Sequence, residues 1–208
     1  MSETREAGAL ILSQLEMFNE TVKLYEAVIQ PEVFESMEKL VIEATEGQGW
    51  IGGYYESNSE IWLAPEIWNA AESSEDPALR AGFTLVNFNE EDDSYLIAAL
   101  CGYASASAGF KFFIDTKAFG GKPVWNKNFQ AWAEKSPKSI QNIQALGFRD
   151  LGKGEFFLPV QLDAEELSNA YRTNDFEVAL EPLQNALEII KHSQKLFDQI
   201  LNDAPSNG

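Results

Sequence analysis

The spacing of apolar residues changes twice along the chain, and this limits the possible folds more than any other feature. From Ala9 to Gln30, the residues Ile11, Leu15, Phe18, Val22, Tyr25 and Ile29 recur at steps of 4, 3, 4, 3 and 4. Such steps draw a stripe along one side of a helix. Near the other end, Phe176, Leu180, Leu183, Leu187, Ile190, Gln194, Phe197 and Leu201 repeat the pattern. Between the stripes the runs are short. Trp50–Tyr55, Glu60–Leu63, Phe83–Phe88, Tyr95–Leu100, Phe110–Ile114 and Glu155–Val160 are alternating or continuous apolar segments bounded by turn-forming residues. They predict strands. Ser57-Asn58-Ser59 reads as the tight turn between the first two, and Pro159 predicts an edge position for the last.

Short helices are expected between these strands. Pro65 opens one that reaches Trp68; Asn126–Lys135 and Pro137–Leu146 read as two more, the latter stopped by Gly147. Asp163 with Glu166 three residues on is a capping-box-like start for a helix to Tyr171. Pro31 suits a first helical turn, so the first helix is expected to give way there to a second, antiparallel or sharply bent. Pro182 either kinks the last helix or begins it.

Helices, then strands, then helices predict an α+β fold. The expected form is a mostly antiparallel central sheet of about five or six strands with the N- and C-terminal helices packed on it. A length of 208 residues suits one domain. Its expected parts are a helical pair over 1–47, the sheet with inserted helices over 50–161, and C-terminal helices over 163–203. Either stripe would face this core or form a seam between two protomers, with Gln194 fixing the register. A homodimer is therefore one reading of the pattern.

Charge narrows the function. The chain carries 33 acidic and 15 basic residues, a net −18. Residues 1–100 hold 20 acids and 4 bases, whereas 111–153 hold 8 bases and 3 acids. Direct binding to duplex nucleic acid is disfavoured, because it relies on Lys and Arg. One Cys, Cys101, excludes an intrachain disulfide and suits a reducing compartment, so the cytoplasm is expected. No run of about 18 apolar residues is present, so no membrane-spanning helix is expected. The acidic tract Glu90-Glu91-Asp92-Asp93 and the acidic N-terminal half predict contact with another protein that has a basic surface, as a regulatory partner or a decoy that imitates nucleic acid.

Catalytic sets are sparse. The single imidazole, His192, lies between Lys191 and Ser193, falls off the apolar stripe of its helix and belongs to no grouping of Ser, His and acid. Gly120-Gly121-Lys122-Pro123 lacks the Ser or Thr and the upstream Gly of a phosphate loop. No cofactor is expected from these residues. An alternative rests on Asp115-Thr116-Lys117 at the end of an apolar run, with Asp93 before another. This spacing resembles the PD-(D/E)xK nucleases, although Asp92 stands where that pattern has proline. The resemblance implies either Mg²⁺ held by Asp93 and Asp115, with Lys117 supporting the attacking water in metal-assisted phosphodiester hydrolysis, or an inactive protein of that fold.

Aromatic residues supply the last expectation. All five Trp lie between Trp50 and Trp132. Trp50, Tyr54, Trp62 and Trp68 would line a ligand groove if the sheet left one face open. Lys111–Lys153 interleaves its eight bases with Phe112, Phe119, Trp125, Phe129 and Trp132, a mixture able to stack and clamp a single strand.

Overall fold

The computed structural model describes residues 2–55, 60–69, 79–88, 94–103 and 107–204. The chain divides into two compact units, Met1–Ser36 and Met37–Gly208.

In the first unit, α1 (Ser2–Ser13) and α2 (Leu15–Leu24) meet at Gln14, whose φ of −127° and ψ of 32° leave the helical region. A π-helical turn, Tyr25–Ile29, then leads into α3 (Gln30–Thr45). The chain does not reverse at Pro31. Tyr25 (φ −63°, ψ −53°) and Gln30 (φ −60°, ψ −49°) remain helical. Proline lacks an N–H and crowds the carbonyl four residues earlier, and a wider turn just before it relieves both conflicts.

The second unit is built on a six-stranded, wholly antiparallel sheet among the described residues: β1 (Trp50–Tyr55), β2 (Glu60–Pro65), β3 (Ala81–Asn87), β4 (Ala108–Ile114), β5 (Arg149–Gly152) and β6 (Glu155–Val160). Its spatial order is β1-β2-β3-β4-β6-β5. The fold is α+β, as the alternation of periods predicts. Between the strands lie a 3₁₀ turn Glu66–Trp68, α4 (Leu96–Leu100), a second 3₁₀ turn Thr116–Phe119, α5 (Lys122–Lys135) and α6 (Pro137–Ala145). Beyond the sheet run α7 (Ala164–Thr173) and α8 (Glu181–Asp203).

Two expectations need correction. Leu96–Leu100 is a helix, not a strand. An apolar run this short fits either state, and Ala98-Ala99 favours the helix. Pro159 is not on an edge strand, because β6 lies between β4 and β5. Its tolerance there follows from the four-residue length of β5, whose register with β6 stops at Phe157 and pairs no β5 residue with Pro159.

Strand alternation places Phe83, Phe112 and Phe156 on one face, since Phe83 pairs with Phe112 and Phe112 with Phe156. Phe197 of α8 closes over all three, its ring centroid 5.1, 4.4 and 5.5 Å from theirs. Leu183, Leu187, Ile190 and Leu201 are buried with it. The second stripe therefore faces the core, and Pro182 lies in the first turn of α8 rather than kinking it. At the sheet's other end, Met37 and Val41 of α3 are fully buried. A side chain at Gly52 would come within 2.8 Å of Val41 Cγ1, so glycine there lets helix and strand approach.

Candidate functional site

The tract Glu90-Glu91-Asp92-Asp93 lies outside the described residues. Asp115 is exposed, and its carboxylate accepts the Lys117 backbone N–H at 3.0 Å, capping the 3₁₀ turn Thr116–Phe119. Lys117 is also exposed. Among the described residues no group of three or more His, Cys, Asp or Glu is gathered as a metal would need. His192 is exposed, with Nδ1 2.7 Å from the Glu188 carbonyl. The Cys101 thiol is pushed above its ordinary value, first by burial and then by the negative charge of Asp163, so it is held as the less reactive thiol.

The tryptophan group does not share one face. Gly52 pairs with Leu63, so Trp50 and Tyr54 project with Leu63 while Trp62, one residue earlier, projects to the opposite side. Trp50, Trp62 and Trp68 are at most 8% exposed, and Tyr54 is half-buried. Trp68 serves the core, packing tilted against Phe83 and edge-on to Phe112 and donating its indole N–H to Asp198 Oδ1 at 2.7 Å. Trp50 and Trp62 border an open hollow of about 540 Å³ at the β1 edge, shared with Ile42, Thr45, Glu46 and Asn69.

A second cavity is smaller and differently charged. About 130 Å³ in volume, it is lined by Lys111, Phe113, Ile114, Thr116, Lys122, Trp125, Asn126, Lys153 and Glu155. Its geometry follows from the sheet. Phe110 and Phe112 turn inward, so Lys111 and Phe113 emerge on the opposite face of β4. Lys111 stands across from Phe157, and Glu155, two residues before it on β6, reaches the Lys111 Nζ at 3.4 Å. Lys122 opens α5. Lys153 comes from the turn joining β5 and β6, where Gly152, Lys153 and Gly154 have φ of 80°, 57° and 86°.

That turn is fixed from outside. Trp125 of α5 is 2% exposed and donates its indole N–H to the Lys153 carbonyl at 2.7 Å. A side chain on Gly154 would fall 2.9 Å from the Trp125 ring. Phe119 and Phe129 flank the indole at centroid distances of 5.0 and 6.1 Å. Three lysines distant in sequence thus reach one cavity on a strand, a helix start and a pinned hairpin. Individual residues here escape sequence reading, although the excess of bases over 111–153 marks the region.

In the first unit the notable feature is exposure. Leu10, Ile11, Leu12, Leu15, Met17, Phe18, Leu24 and Val28 are 44–68% exposed, and α2 and the π-helical turn contain no buried residue. Large apolar side chains scattered singly are ordinary, but eight exposed within nineteen residues are a local concentration. Among the described residues no helix is long and apolar enough to cross a membrane.

The chain matches no family model, no curated protein and no solved structure.

Proposed function

We propose that this is a non-catalytic interaction protein that uses its N-terminal helices to hold a basic, apolar-striped helical segment of another protein. The observation that carries this reading is the run of exposed large apolar side chains on α1, α2 and the π-helical turn. Helices laid in apolar contact are recognised through side chains at steps of 3 and 4, the spacing of Ile11, Leu15 and Phe18. Charge selects the occupant. Residues 1–36 hold 7 acids and 2 bases, and the whole chain is −18. A second copy or an anionic lipid surface would bring like charge to this face, whereas a lysine-rich helix brings the opposite sign.

The test is a calorimetric titration with a synthetic lysine-rich peptide carrying leucines at heptad spacing, beside a scrambled peptide of the same charge. Binding of the patterned peptide alone, weakening as salt rises and lost in the Leu15→Ser, Phe18→Ser double variant, is the expected result. Equal binding of the scrambled peptide, or no effect of the double variant, overturns it. Sedimentation showing a dimer of the free chain at micromolar concentration would replace the basic partner by a second copy.

A further inference from the structure

We propose that the cavity between β4, α5 and the β5–β6 turn is a binding site for a doubly charged tetrahedral oxyanion, a phosphate ion or the phosphate of a small monoester. The inference is independent of the N-terminal helices and rests on charge, size and construction.

Charge comes first. Lys111, Lys122 and Lys153 meet one carboxylate, Glu155, giving the lining a net +2 in a chain of net −18. Glu155 pairs with Lys111 at 3.4 Å. Among the described residues no ion pair is formed by Lys122 or Lys153, so two positive charges remain for a ligand, the number a phosphate dianion answers. Thr116 and Asn126 add a hydroxyl and an amide capable of donating to its remaining oxygens.

Size then limits the occupant. At about 130 Å³ the cavity is far larger than one water requires and well below the 300–1,000 Å³ of pockets that enclose drug-sized ligands. It admits the phosphate group and leaves the rest of any monoester outside.

Construction supplies the third argument. Lysine seldom adopts positive φ, yet Lys153 holds 57° between two glycines that do so freely. Glycine at 153 would make this turn more easily, so the backbone does not explain a lysine there. The indole of Trp125 nevertheless fixes that residue's carbonyl at 2.7 Å and sets the position of its side chain's root. Residues held in sparsely populated backbone regions concentrate where ligands are held.

The experiment is calorimetric titration of the full chain with orthophosphate and, separately, with a small phosphate monoester, at pH 8 and constant ionic strength. Two variants decide it. Lys153→Gly keeps the turn, because glycine takes the same φ more readily, and removes only the charge; Lys122→Gln does the same at the start of α5. Lys39→Gln, on an exposed helix face, is the control. One site per chain, unchanged in the control and weakened about tenfold or more in each cavity variant, is expected from loss of a charged hydrogen bond. Tighter binding of the monoester identifies a small-molecule phosphate as the ligand, and equal or weaker binding the free ion. No saturable heat up to about 10 mM (a Kd near the weak end of specific binding), or cavity variants binding as tightly as the parent with unchanged melting temperature, overturns the proposal.

Discussion

Single side chains in the second unit have separable tasks. Phe197 touches Phe83, Phe112, Phe148 and Phe156, so this one ring ties α8 to three strands of the sheet face. Phe197→Ala should lower stability by about 3–5 kcal/mol, read as a shift of the urea midpoint with little change in slope. Gly154→Ala meets both an unfavourable φ of 86° and the Trp125 ring, and should lower the melting temperature. Cys101 gives a pH prediction. Its thiol is raised in the folded state by burial and by Asp163, so the folded protein keeps the proton longer than the unfolded chain. Stability from this group is present below the ordinary thiol range and falls as pH rises through and beyond it. Cys101→Ser should flatten that alkaline decline, measured by denaturation at pH 7 and 10. These roles were not all legible beforehand. That Asp115 follows an apolar run is plain in the sequence, but the destination of its carboxylate, the backbone N–H two residues on, is a matter of local turn geometry.

At the level of elements, periodicity was readable where packing and period agree. The stripe of α8 predicts Leu183, Leu187, Ile190, Phe197 and Leu201 of its buried face, because a helix against a sheet needs one apolar side, while Ala186, Ser193 and Ile200 widen that face and Gln194 is only half-buried. Leu96–Leu100 reads as a strand yet folds as a helix because five apolar residues carry no period long enough to separate the two. The first stripe has the same spacing as the second and a different fate, as Ile11, Leu15 and Phe18 are exposed. Spacing tells which residues share a side of a helix and nothing of what covers them. Polar substitutions on α2, such as Leu15→Ser with Phe18→Ser, should therefore change stability by less than about 0.5 kcal/mol, whereas Leu187→Ser on α8 should be severely destabilising. Parallel denaturation of the two variants checks the contrast.

Across the whole molecule, the convergence of Lys111, Lys122 and Lys153 depends on strand order. β4 and β6 are neighbours although β5 intervenes in sequence, and that exchange brings the β5–β6 turn beside the end of β4. Nothing local encodes such an order, which is why the basic segment was visible as composition and its cavity was not. The charge imbalance has a measurable consequence at the same scale. With −18 overall, raising ionic strength should screen self-repulsion and raise the melting temperature, an effect that a salt series from about 0.01 to 0.5 M would read. The lack of any buried side chain in α2 leads further. Its turns are held by backbone hydrogen bonds and one exposed hydroxyl bond, Thr21 Oγ1 to the Met17 carbonyl, so they open and close at little cost and leave Lys23 within reach of trypsin. The first tryptic nick in the free protein should fall there, and a partner seated on these helices would announce itself by erasing it.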